Sequence, residues 1–180
     1  MLNPPESIVG AQVRLRRSTP SDSEAVFRAA ADPEVMRFME WPAHKSVADA
    51  EEYMNGCAAR WAAGAEYHWV IESRAGGPVL GCIACRVRGH AADFGYFLAR
   101  PAWGRGIATE ASSLLVAWLK RQPAVLRIWA TTDVENEKSA RVLERLGMQR
   151  EGVLRMATYR PNIGGLPRDT AVYALCKSDA

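Results

Sequence analysis

The hydrophobic pattern divides the chain into short segments of two periods. Val13–Arg17 alternates and predicts a strand; Tyr67–Ser73 and residues 79–87 predict two more, joined as a hairpin by Ala75-Gly76-Gly77-Pro78. Ser21-Asp22-Ser23-Glu24 has capping-box spacing and predicts a helix to about Ala31. Ser46-Val47-Ala48-Asp49 does the same for a second helix ending near Gly64. Between these helices, Pro42 makes Phe38-Met39-Glu40-Trp41-Pro42 an aromatic loop. Residues 93–98 read as a strand, followed by a helix with Ile107, Ala111, Leu114, Leu115 and Trp118 on one face. A further strand over residues 125–131 makes this a parallel crossover unit. Asn136 caps a fourth helix that turns Val142, Leu143 and Leu146 inward and stops at Gly147. Strands at 153–159 and 170–176 flank a loop over 160–168. The expected architecture is mixed α/β, one domain over residues 13–178 behind an extension over 1–12.

Composition narrows the class. A chain of 180 residues with 48% hydrophobic and 24% charged residues suits one globular domain and excludes disorder. The net charge of +3 predicts no nucleic-acid partner, but it conceals an uneven spread. Residues 100–168 hold twelve basic and six acidic side chains, the rest eleven and fourteen. No apolar run approaches the ~20 residues that span a bilayer, and the start lacks the pattern of a secretory signal. The expectation is a cytoplasmic protein with no membrane partner. Cys82 and Cys85 form a C-x-x-C inside a strand, where positions three apart face opposite ways, so they read as core residues. His44, His68 and His90 have no partners at ligand spacing, and no metal is expected.

The chemistry concentrates at Arg100-Pro101-Ala102-Trp103-Gly104-Arg105-Gly106-Ile107-Ala108-Thr109. Glycines at a strand-to-helix turn let the backbone approach an anion, and free N–H groups at the helix N-terminus then point at it. The Walker pattern is absent, and Thr109 stands where a dinucleotide fold wants its third glycine or alanine.

From about Val13 to Lys177 the sequence resembles the GNAT acetyltransferases, in particular their RimJ/RimL-like branch. The family loop Q/R-x-x-G-x-G/A is matched by Trp103-Gly104-Arg105-Gly106-Ile107-Ala108, with Trp103 departing at the first position. Asn136-Glu137-Lys138-Ser139-Ala140-Arg141-Val142-Leu143-Glu144-Arg145-Leu146-Gly147-Met148 is similar to the segment N-x-x-S/A-x-x-x-x-E-K-L-G-F/M. The resemblance implies the acyl-CoA N-acyltransferase fold, a mostly antiparallel sheet with its fourth and fifth strands splayed and about four helices. It implies acetyl-CoA as co-substrate and a primary amine as acceptor, on a peptide N-terminus or a small molecule.

It also implies roles. The backbone of Phe97, Leu98 and Ala99 would meet the pantetheine arm, with a main-chain N–H near Leu98 facing the oxyanion. Amides of Gly104, Arg105, Gly106, Ile107, Ala108 and Thr109 would hold the pyrophosphate, helped by the Arg105 side chain. Asn136 and Ser139 would flank the arm. Many family members carry a thiolate-protonating tyrosine where this chain has Leu143, which shifts that role to the Ser139 hydroxyl. Asp93 is either a base acting through water or a solvated strand-end residue. Glu40 and Trp41 are placed on the acceptor side. Tyr96 is placed there too, as a spare hydroxyl or a packed core residue. The alternative to an enzyme is a catalytically weak CoA-binding sensor or interaction module. Either would be a monomer or a homodimer.

Overall fold

The structure, a computed structural model, describes residues 2–179. Met1, the first residue of the expected extension, lies outside them. The unbroken apolar run of β3 (Tyr67–Ser73) follows from cover on both of its faces. Trp69 and Ile71 enter one core, and Val70 between them enters another. The same alternation separates Ile83 from Cys82 in β4 (Val79–Arg88), and Leu98 from Phe97 in β5 (Ala91–Leu98). The first core also takes Leu115 and Leu119 from α4 (Ile107–Lys120). The second takes Val26 from α1 (Ser23–Ala30), Met36 from α2 (Pro33–Met36) and Met54 from α3 (Val47–Ala62).

With β1 (Ser7–Val9), β2 (Val13–Arg17), β6 (Arg127–Asp133), β7 (Gln149–Thr158) and β8 (Arg168–Cys176), the sheet has eight strands. Their order is β1-β2-β3-β4-β5-β6-β8-β7. Every pairing is antiparallel except β5 with β6, which α4 connects as the crossover pattern predicts. That parallel ladder runs only from Ala91↔Arg127 to Asp93↔Trp129. Beyond it β5 continues to Leu98 and β6 to Asp133 without pairing, so the two strands splay. The fifth helix, α5 (Glu137–Arg145), follows the open end.

Some local expectations change. The capping box before α1 is Thr19 with Asp22, not Ser21 with Glu24, because the chain first makes a 3-10 turn over Pro20–Asp22. Asp22 is drawn into that turn by the Arg16 guanidinium, at 2.7 Å. The box at Ser46 and Asp49 forms as read. Residues before Val13 contribute β1, and the Trp69 indole donates to Pro5 O at 3.0 Å. β7 bulges between Leu154 and Thr158 around Met156, whose φ is 49°. Cys57, Cys82 and Cys85 are free and buried, and burial pushes their thiols up, Cys57 to about 11.

Glu110 ties the anion-loop helix to the sheet edge. Its Oε1 accepts the N–H of Gln12 at 2.7 Å and of Val13 at 3.3 Å, and its Oε2 accepts Gln12 Nε2 at 3.0 Å. Removing it in Glu110→Ala leaves two backbone donors without their acceptor. We expect a loss of about 1–3 kcal/mol, measured as a lower urea midpoint at unchanged slope.

Candidate active site

The open end of the β5/β6 splay leads into a cleft of about 1630 Å3. It runs from the loop before α4, past α5, to the aromatic loop after α2. Along β5, Ala99 N–H bonds to Leu80 O at 2.8 Å on the β4 side. Peptide groups alternate sides along an extended strand, so those of Phe97 also face β4 while those of Leu98 face the splay. The Leu98 carbonyl accepts the Trp103 indole N–H at 2.8 Å. Trp103, the departure from the family loop, thus anchors the loop to the strand. Lys138 Nζ lies 4.5 Å from its ring centroid.

Gly104 and Gly106 have φ of 71° and 77°, and Gly106 is the N-cap of α4 with no side-chain cap. Outside the regular elements, no main-chain bond among the described residues uses the N–H of residues 104–109. The first N–H taken up is that of Glu110, by Gly106 O at 3.0 Å. A run of unbonded amides at the positive end of a fourteen-residue helix fits a pyrophosphate. Gly104, Gly106, Ile107, Ala108 and Thr109 line the cleft; Arg105 is exposed and does not. The cations that do line it beside the loop are Lys138, Arg141 and Arg145, all from α5. Their spacing of three and four was readable as one helix face.

Asn136 caps α5 as expected, accepting Ser139 N–H at 3.2 Å. The Tyr96 hydroxyl donates to Ser139 Oγ at 3.5 Å, across the splay from β5 to α5. The structure therefore joins Tyr96 to Ser139 and away from the aromatic loop. Burial raises the Tyr96 phenol, and the Ser139 bond opposes that shift. Leu143 is 1% exposed at the floor of the same cleft.

Asp93 is neither solvated nor free. It is 7% exposed and bound in a two-pronged ion pair by Arg86, its register partner on β4. Trp41 stacks on Tyr53 with centroids 5.9 Å apart and meets Phe97 edge-on at 6.4 Å. Glu40 is exposed at the rim, and its Oε1 accepts Arg160 Nη1 at 3.3 Å. Asn162 was missed by the sequence reading. Its Oδ1 accepts Ala43 N–H at 2.7 Å, and its Nδ2 donates to Met36 O and Trp41 O. It fastens the loop over 160–168 to the aromatic loop, and no local sequence signal announces such a contact. No group of three or more His, Cys, Asp or Glu suited to a metal occurs among the described residues. No helix among them is long and apolar enough to cross a membrane.

A family model described as an acetyltransferase (GNAT) domain matches residues 12–149. The chain belongs to the GNAT acetyltransferase family. It is 32% identical to the uncharacterised N-acetyltransferase YoaA of Bacillus subtilis (strain 168), over 91% of this chain and 92% of that one. Among solved structures, an acetyltransferase from T. thermophilus is 30% identical with a TM-score of 0.84, covering 99% of this chain and 93% of that one. Mycobacterium smegmatis RimJ, solved with CoA-disulfide, shares the fold with a TM-score of 0.85 at 23% identity, over 97% and 89% of the two chains. As a GNAT acetyltransferase the chain is an enzyme. In the GNAT fold, the splayed pair is β5 and β6 once β1 is counted, and α2 brings the helices to five.

Proposed function

We propose that this GNAT enzyme moves an acetyl group from acetyl-CoA directly to a primary amine, without an acyl-enzyme. The observation that carries the reading is the single continuous cleft. At one end it presents the unbonded amides before α4. In the middle it presents the Leu98 peptide group, and at the other end the aromatic loop. That order suits a long thioester lying through the splay with its carbonyl near Leu98 and an amine arriving from the side of Trp41. The CoA-disulfide bound to the RimJ neighbour supports a ligand of this kind.

In this reading the amides of residues 104–109 and the α5 cations bind the phosphates, and Trp103 keeps the loop registered on β5. The amine nitrogen attacks the thioester carbonyl, and Leu98 N–H donates to the oxygen as it gains charge. As the C–S bond breaks, Ser139 Oγ donates to the departing sulfur, with Tyr96 oriented behind it. The proton lost by the amine ends on the thiol. An α-amine titrates near ~7.7–8.0, so part of it is already neutral at pH 7. Asp93, held by Arg86, shapes the electrostatics beside the amine rather than acting as an unencumbered base.

The test follows thiol release from acetyl-CoA over peptides with free N-termini and small-molecule amines. Acceptor-dependent release is expected. CoA binding without any acceptor-dependent release favours the sensor or interaction module. In Ser139→Ala, kcat should fall about tenfold, the scale of one hydrogen bond. CoA affinity should hold within a factor of about two to three, under 1 kcal/mol.

A further inference from the structure

Arg160 is the most deeply buried cation of the cleft, with its side chain 4% exposed. A guanidinium carries five N–H donors. Among the described residues, Arg160 makes one side-chain hydrogen bond, to Glu40 at 3.3 Å. Its Nε is buried with no hydrogen-bond partner. Asp133 Oδ2 is 4.0 Å from that Nε, beyond hydrogen-bond range. Asp133 is committed elsewhere: it accepts Arg168 Nε at 2.6 Å, Arg168 Nη2 at 3.1 Å and Glu135 N–H at 3.0 Å. Arg168 in turn holds Glu135 at 2.8 Å. Those two cations and two anions balance without Glu40. Glu40 is 58% exposed and touches Arg160 through one long contact, so a better-placed carboxylate can displace it at small cost.

We propose that Arg160 anchors a carboxylate of the acceptor, so that this enzyme prefers amines bearing a carboxylate close to the reacting nitrogen. Glu40 holds the place of that group until the acceptor arrives. A planar, always-charged fork buried with idle donors is suited to two-pronged carboxylate recognition. The position is suited as well. Arg160 reaches Glu40 in the aromatic loop and lies beside Asp133 at the unpaired end of β6, on the acceptor side of the splay. The wall formed by Trp41, Tyr53 and Phe97 would take an apolar side chain on the same acceptor.

The inference rests on the acetyl-transfer reading, and its test has an arm that does not need turnover. With CoA bound, 3-phenylpropionate should raise the melting temperature of the wild type in proportion to its concentration. The alcohol 3-phenylpropanol should not, and neither acid nor alcohol should do so in Arg160→Gln. The kinetic arm compares phenylalanine with phenylalaninamide and phenethylamine. It also compares peptides whose second residue is Glu or Gln, which separates free amino acids from peptide termini as the source of the carboxylate. The carboxylate member of one series should be favoured at least about tenfold in kcat/KM, the scale of one charge-assisted pair. Arg160→Gln should bring that ratio to about one and Arg160→Lys should keep an intermediate ratio, both with unchanged CoA affinity. Equal melting shifts from acid and alcohol, or a carboxylate preference that survives Arg160→Gln, would overturn the inference. Failure of every amine to react, with the acid still stabilising the CoA-bound protein through Arg160, would remove the transfer reading and leave the carboxylate site standing.

Discussion

Gly106→Val should weaken CoA binding by at least about 100-fold, the loss of two charge-assisted hydrogen bonds to phosphate. Gly106 sits at φ 77° as the N-cap of α4, and a Cβ built there would meet nothing within 4 Å. The residue is therefore not a glycine for want of space among protein atoms. Backbone handedness is the first reason, since a β-branched residue in the left-handed region costs about 1–2 kcal/mol or more. The second is the empty approach itself: the valine methyls would stand where the amides of residues 104–109 point. Relaxing the strain by turning the peptide at 106 would swing those amides out of line. The two costs separate experimentally. A thermal shift without ligand reads only the backbone strain and should move by a few degrees. Titration with CoA reads both, and near-normal affinity in a folded variant would remove the loop from the phosphate site.

The loop was legible in the sequence because its physics is local. Two glycines, a strand before and an amphipathic helix after are short-range features, and so is the cap at Asn136. The crossover pattern also contained the parallel pair, since a strand, a helix and a strand of those lengths have few ways to pack. What escaped was long-range. Asn162 joins loops 119 to 126 positions apart in the chain. Asp93 reads as a strand-end carboxylate until β4 places Arg86 opposite it. The charge surplus over residues 100–168 also thins in three dimensions. Arg100 pairs with Asp32, Arg127 with Glu151, Arg141 with Glu137 and Arg168 with Asp133. Of the basic residues left over, Lys138 and Arg145 face the cleft, while Arg105 stays outside its lining. Composition located the right half of the chain for an anion but assigned its side chain to the wrong cation.

His68 gives the largest expected response to pH. It is 1% exposed on β3, its Nε2 is 3.1 Å from the Tyr53 hydroxyl, and its Nδ1 is buried without a partner. Burial penalises the imidazolium and lowers its pKa from the ordinary 6.5 to about 4; nearby Arg60 adds to this and Asp22 opposes it. The unfolded chain takes up this proton below pH 6.5, and the native chain holds out until about pH 4. The stability due to the neutral ring is thus complete above 6.5 and is lost as pH falls toward 4. Its size is about 3 kcal/mol. His44, also lowered by burial, acts in the same direction. The depressed carboxylates Asp22, Glu72 and Asp133 have unfolded values of 3.8, 4.5 and 3.8, so their losses lie mostly below this window. Urea midpoints measured between pH 7 and pH 4.5 should fall steeply in the wild type, and much less in His68→Gln. Parallel curves for the two proteins would mean that His68 accepts its proton in the folded state as readily as in the unfolded one. Because Tyr53 stacks on Trp41, the same protonation should loosen the acceptor wall, and the KM for the amine should rise in acid before the fold is lost.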